Sequence, residues 1–336
     1  MARPLLSFVI PCYRSAHTIG GVVRELTETL QTRARDYDYE IILVNDGSPD
    51  DTARVLQELC GQYPGLVFVD LSRNFGQHSA LMAGFHQVRG DIVICLDDDG
   101  QTPANECFSL IDKVAEGYDI VFAEYGKRQF SGFRNLGSRF NAACNHFFFG
   151  QPKDLQANSY FACQRFVVDS ALRYPNPFPY VSGLLFQSVS RYCNVPVHHR
   201  ARAEGQSGYT LKKLISLWAN GVTAFSIKPL RLANYIGWAT AGAGFIFALV
   251  TIIRKLVNPN MQAGWASTIS VMLLLGGAII GLMGIVGEYI GRIYLSINRY
   301  PQFVVRSVTH SGDRPKNEPV ESEAVRDENR SCGLGA

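Results

Sequence analysis

The first 125 residues alternate short apolar runs with longer segments whose apolar residues recur at helical spacing. The apolar runs have the length of buried strands, and they cover residues 6–11, 40–45, 66–71, 91–96 and 118–123. The segments between them carry turn signals at their ends, and they cover residues 19–32, 51–62, 77–88 and 104–116. Strands that alternate with helices in this way predict a doubly wound, mostly parallel α/β sheet.

Two later segments, residues 232–253 and 265–287, are uncharged and mostly apolar. Each is long enough for the ~20 residues that cross a bilayer, so we expect two transmembrane helices. The alternative is a pair of buried core helices, which would need a larger partner domain than the rest of the chain provides.

Residues 210–231 carry apolar side chains at helical spacing, namely Leu211, Leu214, Ile215, Trp218 and Val222. A helix lying in the headgroup region and a buried soluble helix both fit this periodicity. After residue 306 the chain turns polar and loses apolar periodicity, which predicts a disordered tail over 307–336. The predicted organisation is therefore a soluble domain at 1–209, an amphipathic segment at 210–231, the two spans, a juxtamembrane segment at 288–306 and the tail.

Basic residues flank the two predicted spans, namely Lys212, Lys213, Lys228 and Arg231 before them and Arg292, Arg299 and Arg306 after them. The loop between the spans carries only Arg254 and Lys255. Because positive charge favours the cytoplasmic side, we expect a multi-pass protein of the inner (plasma) membrane whose soluble domain is cytoplasmic.

Composition agrees with that compartment. The net charge of +3 is too small to suggest a nucleic-acid partner. The eight cysteines form no Cys-x-x-Cys pair and have no His partner at zinc spacing, which is typical of reduced thiols in a cytoplasmic compartment. The apolar stretch at residues 5–10 is too short for a cleavable signal, so we expect none.

Polar residues follow three of the predicted strands. Asp97, Asp98 and Asp99 follow the fourth strand, and carboxylates so close repel one another unless a cation such as Mg²⁺ or Mn²⁺ neutralises them. Residues 11–13 and 45–48 follow the first two strands. A solvated acidic turn and a plain Asp-Gly turn are the alternatives for the separate motifs. The carboxyl ends of parallel strands meet at one edge, so together the three segments predict one shared site.

Residues 97–103, Asp-Asp-Asp-Gly-Gln-Thr-Pro, resemble the Asp-x-Asp-x-Gln-x-Pro signature of family 2 glycosyltransferases that act on polyprenyl phosphates. Residues 44–52 resemble the family's Val-Asp/Asn-Asp-Gly-Ser-x-Asp-x-Thr segment, and residues 71–76 resemble its Ser-Arg-Asn-x-Gly stretch. The resemblance extends from about residue 5 to residue 305 and implies a GT-A fold followed by an interfacial helix and two transmembrane helices.

The resemblance also implies roles for residues at the strand ends. Asp99 and Gln101 would be ligands of Mg²⁺ or Mn²⁺, with Asp97 as a further candidate ligand or a contact of the donor sugar. Asp98 occupies the signature's variable middle position, where its side chain is free to point away. Pro11, Tyr13 and Asp46 would bind the nucleotide of the donor. The chain departs from many members at Arg14, Ser15, Gly100 and Gly208.

Basic residues provide candidates for binding phosphate. Arg134 and Ser138 are one helical turn apart, so both can face one phosphate. They resemble the Arg-x-x-x-Ser of dolichyl-phosphate mannose synthases, which holds the acceptor phosphate, and Arg128 matches a further Arg upstream. Arg202 lies in a segment that resembles the family's loop around the donor diphosphate. A solvated helix face and a flexible basic loop are the respective alternatives.

The resemblance implies a metal-dependent, inverting glycosyltransferase that moves a sugar from a nucleotide-diphosphate donor to polyprenyl (undecaprenyl) phosphate. Its partners would be the nucleotide sugar, the polyprenyl phosphate, the bilayer and further copies in a homo-oligomer, and its product a lipid-linked monosaccharide for modifying cell-envelope glycans. The alternatives are a processive polysaccharide synthase and a non-catalytic membrane scaffold. A processive synthase should carry Gln-x-x-Arg-Trp, but Arg precedes none of the three tryptophans.

Overall fold

The computed structural model describes residues 3–125, 155–198, 228–257 and 264–312. The chain divides into two units. The first comprises residues 1–132, 154–207 and 301–336, and the second comprises residues 133–153 and 208–300. Among the described residues, the first unit contains the sheet and the second contains two long helices.

All five predicted strands and all four predicted helices of the first 125 residues are present. The strands are β1 (Leu5–Cys12), β2 (Asp38–Asn45), β3 (Leu66–Leu71), β4 (Ile92–Cys95) and β5 (Ile120–Tyr125). The helices are α1 (Ile19–Gln31), α2 (Thr52–Gln62), α3 (Gln77–Phe85) and α4 (Cys107–Ala115), the last preceded by a short 3₁₀ turn. The alternation predicted from hydrophobic periodicity is confirmed.

Three further strands complete the sheet, namely β6 (Phe161–Gln164), β7 (Tyr192–Val197) and β8 (Val305–His310). The order across the sheet is β7-β5-β6-β4-β1-β2-β3-β8. Pairing is parallel throughout β4-β1-β2-β3 and antiparallel where β6 meets β4 and β5 and where β8 meets β3. The sheet is therefore mixed and mostly parallel. Helices α5 (Arg165–Leu172) and α6 (Val181–Phe186) follow β6.

The core lies on both faces of the central strands. β1 is paired on both edges, and its residues from Leu6 to Cys12 are all buried, which explains its continuous apolar run. Helix α1 buries one face at helical spacing, formed by Ile19, Val22, Val23, Leu26 and Leu30. This packing gives the carboxyl ends of β1, β2 and β4 a rigid base.

A buried carboxylate joins β1, β2 and the turn before β4. Glu40 is only 1% exposed and accepts hydrogen bonds from Ser7 Oγ, from Arg89 N at 2.7 Å and from Arg89 Nε at 2.8 Å.

Glu40→Ala would leave these donors without their acceptor. We expect it to lower the stability by about 3 kcal/mol and Tm by about 8 °C, measured by thermal unfolding in detergent. The control Glu58→Ala removes an exposed partner of Arg54 and should change stability by less than ~1 kcal/mol. Equal shifts for the two variants would contradict this role.

The prediction of a disordered tail is wrong for residues 307–312. Val305–His310 form strand β8, which pairs with β3 from Val67↔His310 to Leu71↔Val305. The segment has too few apolar residues for a periodic signal, because an edge strand obtains much of its order from backbone pairing. Residues 313–336 lie outside the described residues.

The second unit contains α7 (Lys228–Val257) and α8 (Trp265–Ile297), which both extend beyond the predicted spans. Many of their large apolar side chains are exposed, Phe245, Phe247, Ile280 and Met283 among them. In the described part of the chain, one helical segment, Leu275–Ile297, is long and apolar enough to cross a membrane. The prediction of two transmembrane helices is therefore not confirmed. The helix that falls short is α7, because the Ala- and Gly-rich run at 239–244 lowers its hydropathy. Residues 210–227 of the predicted interfacial helix lie outside the described residues, and residues 228–231 belong to α7.

Candidate active site

Direct hydrogen bonds connect the carboxyl ends of β1, β2 and β4. Asp46 N donates to Cys12 O at 3.0 Å, and Arg14 N donates to Ser48 Oγ at 3.2 Å, so the ends of β1 and β2 are joined twice. Tyr13 N donates to Asp98 Oδ2 at 3.0 Å, which joins β1 to the acidic turn. The three segments lie at one edge of the sheet, as the parallel topology predicts.

Asp46 holds the loop that follows β3. Its side chain accepts hydrogen bonds from Phe75 N at 2.7 Å, Gly76 N at 2.9 Å and Asn74 Nδ2 at 3.0 Å. Burial raises the pKa of Asp46, and the two backbone amides oppose that rise by stabilising the charged form. Both carboxylate oxygens are thus engaged within the protein. The predicted contact of Asp46 with the donor base stays a prediction, whereas its hold on the loop is observed.

Gly47 is required where this loop passes the end of β2. It has a φ of +58°, and a Cβ at this position would lie 2.2 Å from Arg73 C and 2.4 Å from Asn74 N. The left-handed backbone and the close approach both select glycine. The Asp-Gly-Ser motif therefore has a packing reason in this protein.

Asp97 is bound by two side chains that the sequence analysis missed. Ser159 Oγ donates to Asp97 Oδ2, and Gln77 Nε2 donates to Asp97 Oδ1 at 3.3 Å. The pKa of Asp97 is raised to about 6, mainly by burial and also by the charges of Asp99 and Asp98, while the hydrogen bonds from Ser159 and Gln77 oppose the rise. Gln77 directly follows the Ser-Arg-Asn-x-Gly stretch, which was a usable signal. Ser159 had none, because it lies in a loop before β6 without a motif.

Asp98 does not point away from the protein, contrary to the expectation for the middle position of the signature. Its Oδ2 accepts the hydrogen bond from Tyr13 N, and burial raises the pKa of its carboxyl group. Asp98 therefore fixes the acidic turn relative to the end of β1.

The remaining predicted metal ligands form a tight turn. Asp99 Oδ1 accepts a hydrogen bond from Gln101 N at 3.0 Å, and Gly100 between them has a φ of +71°. Within the ranges that the structure describes, no group of three His, Cys, Asp or Glu side chains is arranged to hold a metal ion. The oxygen donors of Asp97, Asp99 and Gln101 fit Mg²⁺ or Mn²⁺ in chemical type, because both ions prefer oxygen and retain places for phosphate and water.

The predicted nucleotide-binding residues of β1 differ in exposure. Pro11 is buried within the strand, where it pairs with Val44. Tyr13 is 45% exposed, and the Arg14 guanidinium lies 5.5 Å from the centre of its ring. An exposed aromatic ring beside a cation is suited to stacking on a planar group.

Four predicted site residues lie outside the described part of the chain. They are Arg128, Arg134, Ser138 and Arg202. Their assignment to the acceptor phosphate and the donor diphosphate stays a sequence prediction.

Comparison with known proteins gives consistent matches along most of the chain. Residues 7–172 match the model described as glycosyl transferase family 2, and residues 228–293 match the one described as GtrB C-terminal hairpin. The undecaprenyl-phosphate 4-deoxy-4-formamido-L-arabinose transferase of Pseudomonas fluorescens (strain SBW25) is 35% identical over 90% of this chain and 89% of its own. The protein of the same name from Serratia proteamaculans (strain 568) is 34% identical over 95% and 97% of the two chains.

A solved structure is similar at greater distance. The mannosyl-3-phosphoglycerate synthase from Rubrobacter xylanophilus matches with a TM-score of 0.49 and 20% identity, over 68% of this chain and 75% of that chain. This likeness is too distant to bear on function.

Proposed function

Because this chain belongs to glycosyl transferase family 2, we propose that it moves a sugar from a nucleotide-diphosphate donor onto a polyprenyl phosphate, such as undecaprenyl phosphate. The names of two relatives that match almost their whole length support this acceptor. The reaction would be metal-dependent and inverting. Its product would be a lipid-linked monosaccharide for the modification of cell-envelope glycans.

The proposal rests on the hydrogen bonds that join the carboxyl ends of three strands, β1, β2 and β4. Tyr13 N binds Asp98, Arg14 N binds Ser48, and the loop after β3 is held by Asp46. This arrangement sets an exposed tyrosine at the same edge as the acidic turn. We assign the nucleotide of the donor to the side of Pro11, Tyr13 and Asp46.

We assign the diphosphate of the donor to the acidic turn formed by residues 97–101. Asp99 and Gln101 would hold a divalent cation there, with Asp97 as a further ligand or as a contact of the sugar. When bound, the cation supplies charge neutralisation for the departing nucleoside diphosphate. Ser159 and Gln77 hold both oxygens of Asp97, so its carboxylate is oriented before a donor arrives.

The acceptor needs orientation more than activation. A lipid phosphate is already ionised at neutral pH, so its oxygen can attack the anomeric carbon without a strong general base. We assign Arg128, Arg134 and Ser138 to the acceptor phosphate and Arg202 to the donor diphosphate, on their sequence motifs alone. Fixed positive charge would bring the two anionic substrates together.

A lipid acceptor also calls for membrane attachment. We propose that residues 232–253 and 265–287 both span the inner membrane, that residues 210–231 lie at its surface, and that the domain at 1–209 is cytoplasmic. The exposed apolar side chains of α7 and α8 and the match to a C-terminal hairpin over 228–293 support this arrangement. A homo-oligomer remains part of the proposal through the family resemblance.

Sugar transfer by the full-length protein in detergent tests the function. The donors would be radiolabelled UDP-glucose, GDP-mannose and UDP-4-deoxy-4-formamido-L-arabinose, each with undecaprenyl phosphate, and with Mn²⁺, Mg²⁺ or EDTA. We expect one donor to give a lipid-extractable monosaccharide product, and EDTA to abolish it. Equal product formation in the presence of EDTA would contradict the proposed metal dependence. A polymeric product would favour a processive synthase, and no product from any donor would contradict the proposed acceptor.

A further inference from the structure

Arg306 occupies an irregular position in the edge strand β8. The pairing of β8 with β3 shifts between Asp70↔Ser307 and Leu71↔Val305, so Arg306 is an extra residue on its strand. Such bulges change the direction of a side chain and are common next to active sites.

The guanidinium of Arg306 contacts the residues at the end of β3. Arg306 Nη1 lies 3.2 Å from Asp70 Oδ2, and Nη2 donates to Ser72 O at 3.0 Å. Asp70 is itself nearly buried. The guanidinium is therefore a charged partner for a carboxylate that has little access to water.

Asp70 continues this contact to the turns at 12–15 and 45–48, which together are called the candidate nucleotide pocket. Asn45 Nδ2 donates to Asp70 Oδ1 at 2.7 Å, and Asn45 Oδ1 accepts from Ser48 N at 3.1 Å. Ser48 Oγ in turn accepts from Arg14 N at 3.2 Å. An unbroken series of hydrogen bonds thus connects Arg306 in β8 to the backbone beside Tyr13.

A second connection reaches the loop after β3. Ser72 is held at both ends of its backbone, because Ser72 N donates to Val304 O at 2.9 Å and its carbonyl accepts from Arg306. Two residues later, Asn74 donates to the carboxylate of Asp46. Both sides of the candidate pocket are therefore connected to the strand that follows α8.

The charge of Arg306 determines the strength of the first connection. Hydrogen bonds between ionised partners are stronger than neutral ones, and a nearly buried carboxylate without its cation is poorly stabilised. Loss of the guanidinium would remove the charged group that fixes the position of Asp70 Oδ2. Asp70 Oδ1, the acceptor that orients the amide of Asn45 towards the turn at 45–48, would then be held less firmly.

We propose that Arg306 is a positioning residue for the nucleotide of the donor, and that it acts through Asp70 and Asn45 on the turns at 12–15 and 45–48. This inference rests on the proposed function, which makes those turns the nucleotide pocket. Arg306 is one of the basic residues that flank the predicted spans, and its ion pair with Asp70 gives it a separate task within the sheet. Donor binding would then depend on the strand that follows the helical hairpin.

Steady-state kinetics of the full-length protein in detergent test the positioning role. With the donor that is active among the three sugars named above, Arg306→Ala should raise the donor KM about tenfold. Its kcat should stay within about twofold of wild type, because Arg306 touches no reacting atom. Arg306→Lys keeps the ion pair with Asp70 and should recover part of the loss. The matched control is Arg165→Ala, which removes a surface arginine paired with Asp169 at 2.8 Å, and it should leave KM unchanged.

Hydrogen–deuterium exchange gives a readout that needs no ligand. Peptides that cover residues 12–15 and 45–48 should exchange faster in Arg306→Ala than in wild type or Arg165→Ala. Unchanged exchange in these peptides, or an unchanged KM in an active enzyme, would overturn the inference. A lower kcat and Tm without a higher KM would assign Arg306 a purely structural role and would also overturn it. If wild type transfers no sugar, the proposed function fails, and the exchange result alone decides whether Arg306 orders the two turns.

Discussion

Asp99→Asn is expected to reduce sugar transfer about 100- to 1,000-fold at saturating substrate, because it removes the anionic oxygen assigned to the cation. The substitution keeps the size of the side chain. It also keeps an Oδ1 that can accept the hydrogen bond from Gln101 N, so the turn should retain its shape. The loss would therefore report the charge of the carboxylate and not a disrupted loop. Initial rates over a range of Mn²⁺ concentrations measure it.

The matched control is the same substitution at the opposite end of the same β4 segment. Asp91 precedes β4, and its side chain accepts a hydrogen bond from Leu5 N. Asp91→Asn should keep near wild-type activity and metal dependence. Full activity of Asp99→Asn, with an unchanged response to Mn²⁺, would contradict the assignment of Asp99 as a metal ligand.

Gly47→Ala is expected to destabilise the protein by about 3 kcal/mol and to abolish donor binding, since it adds a Cβ where none fits. The new atom would lie within 2.4 Å of two backbone atoms of Arg73 and Asn74, and φ would have to stay at +58°. Either the turn at 45–48 or the loop after β3 must move. Both movements would break the contacts of Asp46 that hold the pocket together. Thermal unfolding should show Tm lower by about 8 °C.

Gly61→Ala provides the control for this substitution. Gly61 lies in α2, and a Cβ there meets no atom within 4 Å. Alanine is favoured over glycine inside a helix, so Tm should stay the same or rise slightly. A Gly47→Ala protein as stable and as active as Gly61→Ala would show that the close approach of Arg73 and Asn74 is not required.

Local hydrophobic periodicity was sufficient to predict the first five strands and four helices. These elements are buried on well-defined faces, so the spacing of their apolar residues records the fold directly. The short strand β6 and the edge strands β7 and β8 were missed. β8 pairs with β3, whose residues lie more than 200 positions earlier in the chain, and none of its own six residues is buried. A strand that depends on such distant pairing has little local signal.

The sequence by itself determined which residue types stand at the carboxyl ends of the parallel strands, because each motif directly follows an apolar run. It thereby predicted a shared edge with Tyr13, Asp46 and Asp99. Only the tertiary structure decided which of these polar atoms are already engaged. Asp46 holds a loop, Asp98 binds a backbone amide and Arg306 pairs with Asp70 because chain folding brings partners from distant segments within hydrogen-bonding distance. Sequence patterns record burial and local spacing, whereas hydrogen-bond partners depend on distances that only the folded chain defines.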